Sequence, residues 1–267
     1  MSKIIKEALQ KYNPNHVLLM FSGGHDSLCS THYSATYLDK VGVRYSVYHG
    51  NTGTGIKETF DFVEYVCKKY TWDLVTRKPE YPYDYEALIK KNGFPGPSQH
   101  QYMYRNLKEK PLRKYITHEL KSSPYSRENV LLITGIRQSE SLIRMGYKET
   151  VTKENSKIWC SPIFEWSKRN CEDYMIQYYL PRNPVKDKIC ISGECLCGAF
   201  AKHEERAEIK NAFPNAFSKI EKWEELSKKS GFEWRWNSCK LTYEKHNPPK
   251  QMKFNFMPMC IGCESKQ

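Results

Sequence analysis

The chain has 267 residues, with 42 Lys+Arg against 30 Asp+Glu and a formal net charge of +12. Its 39% hydrophobic and 13% aromatic content supplies a core and sets it apart from disordered chains. No apolar run approaches the ~20 residues that cross a bilayer, and Met1-Ser2-Lys3-Ile4-Ile5 lacks the apolar stretch of a secretion signal. A membrane protein and a secreted disulfide scaffold are therefore not expected, and a cytoplasmic location is. The charge excess admits two readings, a polyanionic partner or a solvated lysine-rich surface.

In chain order, Ile4 to Lys11 has the spacing of a short helix, stopped by Asn13-Pro14-Asn15. His16-Val17-Leu18-Leu19-Met20-Phe21 is a continuous apolar run, as expected of a strand buried on both faces of a parallel sheet. Ser22-Gly23-Gly24 breaks it, and Ser27 to Lys40 returns to helical spacing. Arg44 to His49 is a second expected strand, followed by the glycine-rich Asn51-Thr52-Gly53-Thr54-Gly55. Phe60, Val63, Val66 and Cys67 fall at intervals of three and four, which predicts an amphipathic helix over Lys57 to Tyr70. Trp72 to Arg77 and Asn129 to Gly135 are the third and fourth expected strands. Between them Gly93-Phe94-Pro95-Gly96-Pro97 is a rigid turn, and Tyr102 to Leu120 predicts a long basic helix. Trp166 to Tyr179 predicts another helix, and 198–230 a helical stretch interrupted near Phe213-Pro214. Strands alternating with helices imply right-handed βαβ units and a helix-covered parallel sheet.

Ser22-Gly23-Gly24-His25-Asp26-Ser27, between an apolar strand and a helix, is the sharpest chemical signal. Glycines let the backbone turn tightly and approach a ligand. The following helix offers unpaired N–H groups and a partial positive charge to an anion. Ser22 and Ser27 add hydroxyl donors, so the segment is expected to cradle phosphates. It is not the loop that holds the terminal phosphates of ordinary nucleoside triphosphatases, because it has no lysine.

The cysteines divide unevenly. Cys29, Cys67, Cys160 and Cys171 sit singly in predicted regular structure, where buried inert thiols are expected. Cys195-Leu196-Cys197 and Cys260-Ile261-Gly262-Cys263 form two close pairs. Two such pairs can supply four thiolates to one metal centre, either tetrahedral zinc or an iron–sulfur cluster. Cys190 or Cys239 could replace one ligand.

The pattern Ser-Gly-Gly-x-Asp-Ser after the first strand resembles the PP-loop superfamily of adenine nucleotide α-hydrolases. Further segments are similar to its phosphoadenylyl sulfate (PAPS) reductase-like family: His49-Gly50-Asn51-Thr52-Gly53 with Glu58-Thr59, Gly135-Ile136-Arg137 with Glu140, Ser141 and Arg144, Cys160-Ser161-Pro162-Ile163, and Asn183-Pro184-Val185. Asn51 stands where that family carries Asp. The resemblance covers about residues 15–200. It implies an α/β fold with a doubly wound parallel sheet, followed by a C-terminal, mostly helical, cysteine-bearing region. The expected division is 1–185 for nucleotide binding and 186–267 for the cysteine region.

By the same resemblance, Ser22, Gly23, Gly24, Asp26 and Ser27 would hold phosphates, and Asn51, Thr52 and Gly53 would lie near the adenosine. Gly135 would approach the nucleotide, with Arg137 as a cation for its phosphates. Asp26, Ser27 and Arg137 are the expected catalytic residues; Lys108, Arg113 and Arg144 are assigned to the substrate's anionic end. The cysteine order is more like the DNA phosphorothioation ATPases of the family, which favours [4Fe-4S] over zinc on Cys195, Cys197, Cys260 and Cys263.

The leading expectation is an enzyme that binds ATP with Mg²⁺, adenylates a nucleic-acid substrate and promotes its displacement by sulfur. A cysteine desulfurase as sulfur donor and a homodimer complete the expected partners. The first alternative is a sulfonucleotide reductase with a nucleophilic cysteine thiolate. Relatives of that kind carry it in a Glu-Cys-Gly-Leu/Ile-His tail, whereas this sequence reads Met259-Cys260-Ile261-Gly262-Cys263-Glu264. The second alternative is a nucleotide- or nucleic-acid-binding module without catalysis.

Overall fold

The computed structural model describes residues 2–138, 149–202 and 204–238. Its centre is a six-stranded sheet of β1 (His16–Met20), β2 (Ser46–Gly50), β3 (Leu74–Arg77), β4 (Val130–Ile133), β5 (Val151–Glu154) and β6 (Lys157–Cys160). The spatial order is β3-β2-β1-β4-β6-β5. All neighbours run parallel except β5 and β6, which form an antiparallel hairpin. The chain leaves β1 towards β2 and β3, then returns to place β4 on β1's other side, so the strand order reverses at β1. A crevice outside the carboxyl ends of the strands forms at such a reversal.

Why the central strands read as unbroken apolar runs is visible in their packing. Val17 and Leu19 of β1, Val47 of β2, and Leu131 and Ile133 of β4 enter a core on one face. Leu18, Tyr48, Val130 and Leu132 enter another on the opposite face. Successive side chains point to opposite faces, so a strand covered on both must be apolar at every position. α1 (Ser2–Tyr12), α2 (His25–Lys40) and α3 (Lys57–Lys69) cover the first face; Leu112, Tyr115 and Ile116 cover the second. Truncating a fully buried leucine such as Leu19 to alanine would cost ~2–5 kcal/mol.

The predicted basic helix extends over 100–120 as one helical run. Its α-helical turns α5 (His100–Tyr104) and α6 (Lys110–Tyr115) alternate with π-helical turns Arg105–Glu109 and Ile116–Leu120. Pro111 has no N–H and cannot join a regular ladder, and the wider turn before it accommodates that gap.

The expected helix over Trp166 to Tyr179 is α7 (Lys168–Gln177), capped by the Ser167 hydroxyl, which accepts from the Asn170 N–H. α8 (Pro184–Ile189) follows. The helical stretch expected from 198 begins only at α9 (Glu205–Ala212) and restarts as α10 (Pro214–Lys229), with Phe213 outside helical geometry between them. A residue before proline avoids helical geometry, and Pro214 fits the first turn of the next helix. α4 (Tyr85–Asn92) joins this C-terminal segment in a separate core that includes Phe94, Ile209, Trp223 and Trp236. Among the described residues, no helix is long and apolar enough to cross a membrane.

Candidate functional site

The β1–α2 turn sits at the strand-order reversal. Gly23 has φ +84, and a Cβ there would come within 2.9 Å of Thr59 Cγ2, so both the conformation and the space favour glycine. α2 begins after Gly24 with no side-chain cap, which leaves the first-turn N–H groups open to a ligand. The Ser22 and Ser27 hydroxyls lie 2.9 Å apart, and the Ser27 hydroxyl donates to the Gly24 carbonyl at 2.9 Å. The loop is thereby braced by the two side chains expected to face phosphate.

From β4 the chain delivers Gly135 and Arg137. A Cβ on Gly135 would lie 2.6 Å from Ser27 Cα and 2.7 Å from Ser27 N, so only glycine lets these two backbones touch. The Arg137 guanidinium, only 7% exposed at its side chain, pairs with the Asp26 carboxylate at 3.0 Å. The sequence reading assigned both to phosphates separately; the structure joins them to each other. Truncating one partner of so buried a pair would leave the other charge uncompensated, at a cost of ~3–5 kcal/mol.

The loop after β2 meets a second loop, residues 192–198, from the far end of the chain. Asn51 Oδ1 accepts from the Gly53 N–H at 2.9 Å, which shapes the turn. Thr52 Oγ1 donates to the Glu194 carbonyl at 3.0 Å, and Thr54 Oγ1 accepts from the Leu196 N–H at 3.1 Å. Gly55 packs so closely that a Cβ would lie 2.6 Å from the Glu194 carbonyl oxygen. Thr59 Oγ1 donates to the Ser192 carbonyl at 2.6 Å, Tyr85 to that of Cys197 at 2.9 Å, and Trp236 Nε1 to that of Leu196 at 2.7 Å.

Asn183, fully buried, ties the two halves of the site. Its Nδ2 donates to the Gly23 carbonyl at 2.8 Å and lies 3.3 Å from that of Ser192. Its Oδ1 accepts from the Val185 N–H at 2.9 Å, capping α8. In the sequence, Asn183-Pro184-Val185 stands as part of a family resemblance, and nothing in it revealed the two long-range bonds. Thr54, in a loop, and Thr59, in the first turn of α3, were likewise invisible as braces, because a lone threonine has no distinguishing pattern.

Cys195 and Cys197 are brought together on this second loop. The Cys197 thiol, donating to Cys195, holds the Cys195 pKa below its ordinary value; burial opposes that, while the Lys108 ammonium and the Thr54 hydroxyl assist. The same bond, with burial, holds the Cys197 thiol up. Lys108 pairs with Glu194 at 3.0 Å, and although burial works against its charge, Glu194 and Cys195 hold its pKa above the usual range. Lys108, assigned from sequence to a substrate's anionic end, thus faces the cysteine loop. Arg113, on α6 of the same helical run, is exposed and lines a different groove. Arg144, Cys239, Cys260 and Cys263 lie outside the described residues. Cys190 is exposed, whereas Cys29, Cys67, Cys160 and Cys171 are all buried, and burial pushes the Cys67 and Cys160 thiols up to about 12.

The phosphoadenosine phosphosulfate reductase domain model matches residues 16–197, more than half the chain. The chain belongs to this family. The family match runs from the first residue of β1 to Cys197, so it takes in both loops of the site and ends before Cys260 and Cys263. Over 249 residues, 89% of its length, the chain is 27% identical to an uncharacterized protein of Methanocaldococcus jannaschii, and it spans 54% of that protein. Among solved structures it is similar to a PAPS reductase of Candida auris in a phosphate complex, at 18% identity and a TM-score of 0.49, covering 70% of this chain and 83% of that one. It is also similar to an NH3-dependent NAD synthetase of Campylobacter jejuni, at 17% identity and a TM-score of 0.47, covering 86% and 93%. A third similar structure is a U34-tRNA thiolase of Methanococcus maripaludis with its [4Fe-4S] cluster, at 14% identity and a TM-score of 0.35, covering 95% and 91%.

Two of the four cysteines expected to form a metal centre, Cys195 and Cys197, fall among the described residues. Cys195, half-buried, and Cys197, buried, suit such a centre, being close together and arranged with one thiol held towards the thiolate form, which is the ligating form. Among the described residues, no group of three or more His, Cys, Asp or Glu side chains is placed to hold a metal ion.

Proposed function

We propose that this member of the PAPS reductase family binds ATP and uses it to activate a nucleic-acid oxygen for replacement by sulfur. One observation carries the reading: the uncapped start of α2 lies at the strand-order reversal, in backbone contact with Gly135 and backed by the Asp26–Arg137 pair. That arrangement suits an anionic group bridging the first-turn N–H groups. Ser22, Gly23, Gly24 and Ser27 would hold the phosphates and Asn51, Thr52 and Gly53 the adenosine. Mg²⁺ would travel with the phosphates and offset their charge.

In this reading an acceptor oxygen attacks the α-phosphorus, and the bond between that phosphorus and the bridging oxygen of the β-phosphate breaks. Pyrophosphate leaves with the electron pair, and the acceptor is left adenylated. A sulfur nucleophile at the oxidation level of hydrosulfide then attacks the acceptor carbon and expels AMP. The chain's residues bind, orient and neutralise charge. Residues 1–185 would carry this nucleotide chemistry. Residues 186–267 would carry a [4Fe-4S] cluster on Cys195, Cys197, Cys260 and Cys263, which when bound would supply a site for sulfur.

The test is pyrophosphate release from ATP by the anaerobically purified protein, with tRNA or DNA added. Release that depends on nucleic acid, and is lost in Asp26→Asn, is the expected result. The family match itself favours a second reading, reduction of a sulfonucleotide. Turnover of PAPS with thioredoxin, and none with ATP, would establish that reading and overturn the first. About four irons per chain are expected, and zinc without iron after anaerobic preparation would reject the cluster.

A further inference from the structure

A groove of about 510 Å³ opens where β3 ends, between the segment after Arg77 and the 100–120 helical run. Its cations come from both walls: Lys78 from the segment, and Lys110, Arg113 and Lys114 from the helical run. Tyr81 and Tyr83 line the same wall as Lys78 and are 84% and 45% exposed. Lys110 Nζ stands 3.1 Å from the centroid of the Tyr83 ring, and Lys114 pairs with Glu80 at 2.7 Å.

We infer that this groove takes a single-stranded stretch of RNA and delivers it to the site described above; the inference rests on that proposed reading and names its substrate class. Three features favour such an occupant over a small anion. The cations are distributed along two walls, as a backbone with repeated phosphates requires. Exposed tyrosines interleave with them, and every base offers a flat face to stack on such rings once it is out of a duplex. The groove also carries acceptors, Glu80 and Thr117, which suit the 2′-hydroxyl of ribose and have nothing to accept from deoxyribose.

The placement links the groove to the chemistry. Lys110 is two residues beyond Lys108, whose ammonium pairs with Glu194 on the cysteine loop. On the other wall, the Arg77 carbonyl that ends β3 accepts from the Asn51 N–H at 2.9 Å, joining the groove to the loop after β2. The groove and the candidate site thus share two elements, the 100–120 helical run and the end of β3.

The test is fluorescence anisotropy of the full chain with a labelled single-stranded 12-nucleotide RNA, alongside the matching DNA strand and the RNA duplex. The single-stranded RNA should bind most tightly, with an affinity that falls steeply as salt rises. Tyr83→Ala and Tyr81→Ser should each weaken binding roughly fivefold to a hundredfold, and Lys110→Gln should lower the salt slope by about one. Thermal melting of each variant checks its fold, and Tyr81 is exposed enough to be replaced without touching the core. Equal binding of the duplex, tighter binding of DNA, or wild-type RNA affinity in all three variants would overturn the groove. Pyrophosphate release from ATP on adding nucleic acid is measured separately, so loss of the groove leaves the adenylation reading to its own result.

Discussion

Two irregular loops meet at the candidate site, and both turn through glycines with positive φ, at Gly23 in one and at Gly193 and Gly198 in the other. They use their backbones in opposite ways. The phosphate loop runs into an uncapped helix, so donors of its first turn are left for a ligand. The cysteine loop instead has its acceptors taken up. The carbonyls of Ser192, Gly193, Glu194, Leu196 and Cys197 receive hydrogen bonds from Thr59, Ile56, Thr52, Trp236 and Tyr85 respectively. With its backbone satisfied by the scaffold, that loop presents thiols. One loop keeps backbone donors free and the other has its acceptors filled, so the difference lies in which backbone groups remain free.

The largest expected effect tests how the anion loop is anchored. Arg137→Met leaves Asp26 without its buried partner, so unfolding free energy should fall by ~3–5 kcal/mol in denaturant titrations. A loss under ~1 kcal/mol would mean that the backbone contacts alone hold the loop. Next comes Gly135→Ala, whose Cβ cannot coexist with Ser27 Cα at 2.6 Å. Overpacking of this kind costs ~1–3 kcal/mol, so ATP affinity in calorimetry should drop roughly tenfold to a hundredfold as the loop is displaced. Unchanged affinity would separate Gly135 from the ligand site.

On the other loop, Thr54→Val removes the acceptor for the Leu196 N–H and the hydroxyl 3.5 Å from Cys195 Sγ. A buried donor left unsatisfied costs ~1–3 kcal/mol. Stability should fall by that amount, and alkylation of Cys195, followed by mass spectrometry, should become faster as the loop loosens. A variant with wild-type stability and alkylation rate would show that the loop does not depend on its filled carbonyls.

The same contrast explains what could be read from sequence. The anion loop is local: six consecutive residues after an apolar strand state their chemistry, and β1 and β4 follow from nearly unbroken apolar runs. The braces of the cysteine loop are far from it in sequence, Trp236 by 40 residues and Thr52 by 142, so no spacing announces them. The β5–β6 hairpin also escaped, because Val151-Thr152-Lys153-Glu154 is neither apolar nor strictly alternating. Its turn uses Asn155 at φ 54 without the glycine that normally marks such a hairpin. Lys108 and Arg113 look equivalent in a basic run, yet one pairs with Glu194 beside the cysteines and the other lines the groove; which neighbour a lysine finds is decided by tertiary packing.

The smallest expected effect lies further along α2, away from both loops. His32 packs among the rings of Tyr70, Trp72, Tyr174 and Tyr178, with Nδ1 2.9 Å from the Tyr174 hydroxyl. Burial holds its pKa below the ordinary imidazole value of 6.5. In the window between the lowered native value and 6.5, the unfolded chain therefore binds more protons than the folded one. Stability is fully present above that window and declines as pH falls through it. His25 behaves in the same sense, through burial first and then Lys186 and Arg182, so the wild-type slope contains both groups. His32→Gln should remove its own share: the difference in denaturation midpoint between wild type and variant should shrink as pH is lowered through the window. A difference that stays constant with pH would mean that His32 titrates alike in both states, and that its aromatic surroundings leave it as hydrated as in the unfolded chain.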